Sequence, residues 1–279
     1  MSKAVRVCGA FDDLRSTQVR LLQEAARLGP VQVLLWSDEQ VRAQTGGPPK
    51  FALEERRYLL ESLRFVERVS AQPLPFDPDT LPQPPEGWPP TELWAVGEVE
   101  DSPGRRAFAA DRGLEYRVIR GAQLRGFPAE SAAQPPAARA TRLRPKVMAT
   151  GCFDWFHSGH VRFFEEASAL GELYVVVGHD ANVRLLKGQS HPLFPQQERR
   201  YLVAAVRHVH RALVSTGNGW LDAEPEIQAL RPDLYVVNED GDKPEKRVYC
   251  EAHGIRYAVL KRQPREGLPR RQSTDLRGY

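Results

Sequence analysis

The chain repeats itself, and this repetition limits the folds open to it more than any other feature. "GAFDDLRSTQVRLLQEA" at residues 9–25 returns as "GCFDWFHSGHVRFFEEA" at 151–167. "EERRYLLESLRFV" from Glu54 returns as "QERRYLVAAVRHV" from Gln197, and "AFAADRGLEYRVI" from Ala107 returns as "VYCEAHGIRYAVL" from Val248. The blocks keep one order and an offset of 141 to 143 positions, which reads as a duplicated unit. In each copy a β-branched run ("AVRVCG", "KVMATG") meets a glycine turn and then a helical pattern, which stops at Gly29 or Gly171. A second apolar run ("PVQVLLW", "ELYVVVG") precedes the "ERRYL" helix. A third ("ELWAVG", "DLYVVN") precedes another helix, and "LEYRVI" or "IRYAVL" closes the unit. Strands alternating with helices specify an α/β fold: two tandem domains, each a parallel sheet with helices on both faces.

Between the copies, residues 125–145 are rich in Ala, Pro and Arg and read as a linker, leaving domains at 1–124 and 146–279. The proline-rich stretch at 72–90 lies inside the first copy, where the second has "GWLDAEPEIQALRPD". The second can form a helix there and the first cannot. Lys and Arg (39) nearly balance Asp and Glu (36), so charge gives no sign of a nucleic-acid partner. Three scattered cysteines suggest neither a disulfide framework nor a metal site. With no apolar run of membrane-spanning or signal-peptide length, a cytoplasmic protein without a transmembrane segment is expected.

In parallel sheets ligands bind outside the carboxyl ends of the strands. The second copy places His157-Ser158-Gly159-His160 there, where the first strand's turn enters a helix. A helix N-terminus offers unpaired N–H groups and partial positive charge, Gly159 admits a ligand close to the backbone, and two imidazoles add donors for phosphate oxygens.

These residues resemble the HxGH nucleotidyltransferases, and among them the cytidylyltransferases; the resemblance covers residues 146 to 277. It implies Rossmann-like nucleotidyltransferase domains, with His157, His160 and Lys187 catalytic. Gly151, Cys152, Phe153, Asp154, Gly159, Arg200, Asn238, Glu239, Asp240, Arg262, Ser273 and Thr274 would bind nucleotide or phosphate. Lys187 in "ANVRLLKG" matches the family's phosphate-bridging lysine, Arg200 in "QERRYL" its helix-start arginine, and Asn238-Glu239-Asp240 its acidic loop only approximately. Ser273 and Thr274 would open a last helix; the arginine before them is open among Arg262, Arg265 and Arg271. Asp154 is read as fixing the turn by hydrogen bonding rather than binding metal. Mg²⁺ would enter with the triphosphate, and no protein metal site is expected.

The implied reaction moves CMP from CTP to a phosphorylated small alcohol, such as phosphoethanolamine or glycerol phosphate, and releases pyrophosphate. An adenylyltransferase using ATP on a cofactor precursor or sugar phosphate is the alternative. A non-catalytic nucleotide sensor is the alternative of another class. The first copy has Arg15, Ser16, Thr17 and Gln18 where the second has 157–160, and Thr45 where the second has Lys187. It reads as a degenerate domain kept for packing. The tandem layout resembles that of the ethanolamine-phosphate cytidylyltransferases with the intact copy reversed. Relatives with one copy are typically dimers, so an intrachain pseudo-dimer is expected.

Overall fold

The computed structural model describes residues 3–71, 77–128, 144–273 and 276. The chain divides into two compact units, Met1–Gly126 and Phe127–Tyr279. Most of the expected linker, together with Thr274, lies outside the described residues. Phe127, at its start, packs its ring against Tyr201 of the second unit, at 6.0 Å between centroids.

The first unit runs β1 (Val5–Gly9), α1 (Ser16–Ala26), β2 (Val31–Leu35), α2 (Asp38–Thr45), α3 (Leu53–Glu61), β3 (Val66–Ala71), β4 (Leu93–Gly97), α4 (Pro103–Asp111) and β5 (Glu115–Ile119). The second runs β6 (Lys146–Gly151), α5 (Ser158–Ala169), β7 (Glu172–Val177), α6 (Asp180–Lys187), α7 (Gln196–Ala205), β8 (Arg211–Val214), α8 (Glu224–Leu230), β9 (Leu234–Asn238), α9 (Pro244–Ala252) and β10 (Arg256–Leu260). The sheets have the orders β3-β2-β1-β4-β5 and β8-β7-β6-β9-β10, with parallel pairings throughout the described strands. Both units are therefore Rossmann-like. The direction of winding reverses beside the first strand, so the switch point of the second unit, where such sheets bind ligands, lies at the carboxyl ends of β6 and β9.

The sequence patterns miss β3 and β8 and the short helices α2 and α6. The two strands are sheet edges, and their patterns are weak: Glu67 and Arg68 interrupt β3, and β8 has only four residues. The expected last helix falls largely on residues 274–279, most of which lie outside the described residues; Ser273 itself is in a turn. No described helix is long and apolar enough to cross a membrane.

Packing is shared position by position. On one face of the second sheet, Met148, Val176, Tyr235 and Val237 pack with Ile227 of α8 and Cys250 of α9. In the first unit, Leu34, Trp94, Val96 and Ala109 occupy the matching places, and Leu81 of the proline-rich segment packs where α8 would. Arg6, fully buried, stands in place of Met148. It donates to Gln32 Oε1 at 2.6 Å, Thr91 Oγ1 at 3.1 Å and the Pro89 carbonyl at 3.2 Å, and lies over the Trp88 ring. A buried guanidinium thus fastens the segment that replaces the helix. Burial pulls its pKa down to about 10.

Candidate active site

The turn after β6 is built around His157, whose extended backbone makes it the N-cap of α5. Its Nδ1 accepts the N–H of Gly159 at 3.1 Å. That bond fixes the tautomer: the proton of the neutral ring sits on Nε2. Nε2 is buried and has no partner among the described residues, and neither does Nδ1 of His160. The two imidazoles stack with centroids 3.9 Å apart and planes at 22°. Phe153 meets His160 edge-on at 5.2 Å, and Phe156 stacks on it at 5.8 Å. His160 is therefore held between its neighbour and two phenyl rings.

Electrostatics complete the picture. Burial, reinforced by Arg262 and Arg271, lowers the pKa of His157 to about 3. Burial, His157, Arg262 and Lys187 hold His160 well below the ordinary histidine range. Two neutral rings with buried nitrogens, in a field of surrounding cations, form a site suited to an anion.

Gly159 leaves little room for a side chain here. A Cβ there would fall 3.0 Å from Cε1 and Nδ1 of the His157 ring and 3.7 Å from the Arg271 carbonyl. The same contact places the C-terminal tail against the start of α5. Arg262 ties the tail together, donating to the Arg271 carbonyl at 3.0 Å and pairing with Asp240. A cleft lined by Gly159, Phe163, Asn238, Arg262, Arg270 and Arg271 results. Glu239 faces Arg270 at 3.9 Å. Lys187 is the last residue of α6, exposed, with its charge acting on His160 and Cys152. Ser273 donates to the Trp155 carbonyl at 3.3 Å.

Asp154 Oδ1 accepts the N–H groups of Leu193 and Phe194 at 2.7 and 3.1 Å, anchoring the turn to the loop before α7. Gly151 and Phe153 shape the same turn, Phe153 with a positive φ of 53°. Burial pushes the Cys152 thiol up, so it is protonated and no nucleophile.

The two arginines at the start of α7 face different partners. Arg200 donates to the Pro128 carbonyl at 3.3 Å. Arg199, fully buried, donates to the carbonyls of Cys152 (2.6 Å), Gly178 (2.8 Å) and Phe194 (2.9 Å) and to Asp180 (2.7 Å). It joins the ends of β6 and β7 to α6 and the loop before α7. The signal for it was in the repeat: Arg56, offset by 143, bonds to Ala10, Phe51 and Asp38 in the same way.

The sequence pattern of the family described as cytidylyltransferase-like matches residues 148–258. The chain is 37% identical over 119 residues to the FAD synthase of Aciduliprofundum boonei, covering 42% of this chain and 76% of that protein. To the FAD synthase of Methanopyrus kandleri it is 35% identical over 130 residues, covering 44% and 83%. It is 39% identical over 100 residues to the bifunctional protein HldE of Syntrophotalea carbinolica, covering 36% of this chain and 20% of that longer protein.

Proposed function

Because the chain belongs to the cytidylyltransferase-like family of nucleotidyltransferases, we propose that its second unit joins a nucleoside monophosphate to the phosphate of a small molecule. The observation that carries this reading is the stacked pair His157 and His160 at the N-terminus of α5, buried, neutral and with ring nitrogens unpartnered among the described residues. A phosphate oxygen of the acceptor attacks the α-phosphorus of the triphosphate. The bond from that phosphorus to the bridging oxygen breaks, and pyrophosphate leaves with the electron pair. The attacking phosphate is already an anion, so no general base is needed; positioning and charge stabilisation supply the catalysis. His157 donates Nε2–H toward the phosphates, His160 stands beside it, and Lys187 spans the phosphates of both reactants. Arg262 and the tail close over the triphosphate.

Mg²⁺ would travel on the phosphate oxygens. Among the described residues no group of three or more His, Cys, Asp or Glu could hold a metal, and Asp240 is paired with Arg262.

The FAD synthase relatives favour ATP as donor and a flavin phosphate as acceptor, since FAD is an AMP unit joined to one. CTP with phosphoethanolamine or glycerol phosphate is the second reading, favoured by the family's description. In the first unit, Arg15 is bound to Asp13 at 2.7 Å, and Lys50 to the same carboxylate at 2.9 Å. That unit carries no histidine pair and is proposed to be non-catalytic. A pyrophosphate-release screen of ATP and CTP against FMN, glycerol phosphate, phosphoethanolamine and a sugar phosphate tests the reading, with the His157→Ala protein alongside. One pair should release pyrophosphate well above the variant; no pair doing so would overturn it.

A further inference from the structure

A second set of polar groups stands at the carboxyl ends of β6, β7 and β8, apart from the residues assigned above. The N–H of His179 donates to Ser215 Oγ at 2.9 Å, and that hydroxyl donates to Asp222 Oδ2 at 2.6 Å. Ser215 is 3% exposed, so its hydroxyl is committed at both ends and fixes the carboxylate's orientation. The turn between them is held as firmly. Asn182, 2% exposed, donates to the Gly219 carbonyl at 3.0 Å and accepts the Gly219 N–H at 2.8 Å.

This clamp places Asp222 over the strand ends. A Cβ on Gly178 would lie 3.3 Å from Asp222 Oδ2 and 3.9 Å from the carbonyl oxygen of Gly151, the residue that opens the histidine turn. The clamp uses only Oδ2. Oδ1, in a half-buried residue, accepts from no group among the described residues. Lys246, whose charge reaches Asp222, donates instead to the Gly241 carbonyl at 3.0 Å. The Gly151 carbonyl already accepts the Gly178 N–H at 3.0 Å, so the open acceptor at these strand ends is Oδ1 of the fixed carboxylate, and what fits there is a hydrogen-bond donor.

Resting on the nucleotidyltransferase reading, we propose that Asp222 Oδ1 accepts a hydroxyl of the acceptor substrate, which is therefore a polyol phosphate. Asp222 is the specificity-determining residue, and Ser215 a positioning residue that acts through it. A purely structural Asp222 would serve the clamp and be indifferent to the acceptor's hydroxyls.

The test is calorimetric titration of the full chain with ribitol 5-phosphate and with pentyl phosphate, which differ only in hydroxyls on the chain. MgATP and MgCTP are titrated alongside. The wild type should bind ribitol 5-phosphate about tenfold more tightly, the worth of one charge-assisted hydrogen bond. Asp222→Asn keeps an acceptor for Ser215 and should cut the preference to about threefold or less, leaving nucleotide affinity unchanged. Ser215→Ala, which frees the carboxylate without removing it, should give an intermediate ratio and stands in should Asp222→Asn fail to fold. Equal affinity in the wild type, binding of neither phosphate, or a preference untouched by both variants would overturn the proposal. In those cases retained nucleotide binding leaves the nucleotidyltransferase reading standing; a wild type that binds no nucleotide removes that reading itself.

Discussion

Arg15 and His157 occupy the same place, the N-cap of the helix that follows each unit's first strand. Around them the scaffolds coincide. Asp12 accepts the N–H groups of Lys50 and Phe51, as Asp154 accepts those of Leu193 and Phe194. Gly29 and Gly171 both sit where a Cβ would fall 2.1 Å from a backbone oxygen, of Lys3 or Pro145. At the mouth the units part. Where Trp155 stands in the second, the first has Asp13, whose carboxylate satisfies Arg15 and Lys50 within the unit. One mouth pairs its charged residues with one another, and the other holds buried imidazole nitrogens without partners among the described residues. The frame and the chemistry are thus separable, and losing the second leaves the first intact.

The largest effect should fall on what the units share. Arg56→Met and Arg199→Met each strip a buried guanidinium from several carbonyls and a carboxylate, and each should destabilise its own unit by about 3–5 kcal/mol. Urea denaturation followed by hydrogen exchange in each unit measures this. Loss in one unit alone would break the equivalence. Next comes what they do not share. His157→Ala should lower the rate of pyrophosphate release by about 10²–10³, the typical cost of one oxyanion donor, while Arg15→Ala leaves it unchanged.

Gly159→Ala sharpens the comparison further. The added methyl displaces the His157 ring, and kcat should fall by about tenfold or more, whereas Thr17→Ala at the matching position should be silent. The last comparison concerns pH dependence. His157 titrates at about 3 in the folded chain, against an ordinary value of about 6.5, so the unfolded chain binds the extra proton between these limits. Stability is complete above pH 6.5 and declines as pH falls toward 3, by up to about 1.4 kcal/mol per pH unit from this residue. His157→Gln should flatten that slope in urea titrations between pH 4 and 7.

Much of this was legible in the residues. The repeat gave the two units, and strand–helix alternation gave the parallel sheets. The HxGH stretch led to the stacked imidazoles, because a strand–turn–helix junction leaves little freedom in where those rings lie. What was hidden depends on contacts rather than periodicity. Arg199 and Arg200 are adjacent on α7, and only the fold decides which meets the carbonyls of Cys152 and Gly178. Strands β3 and β8 are edges whose short or polar sequences carry no alternation. The tail is held by side-chain contacts that no periodicity announces, such as that of Arg262 with the Arg271 carbonyl. Asp222 lay inside a stretch read only as a helix former.

The claim that one mouth binds phosphate and the other does not is tested most directly by counting nucleotides per chain. Equilibrium titration with a non-transferable ATP or CTP analogue and Mg²⁺ should give one site. The double variant His157→Ala/His160→Ala should weaken it severely, and Arg15→Ala/Lys50→Ala should not change it. Two sites per chain, or a single site abolished by the first-unit variants and kept by the histidine variants, would contradict the account.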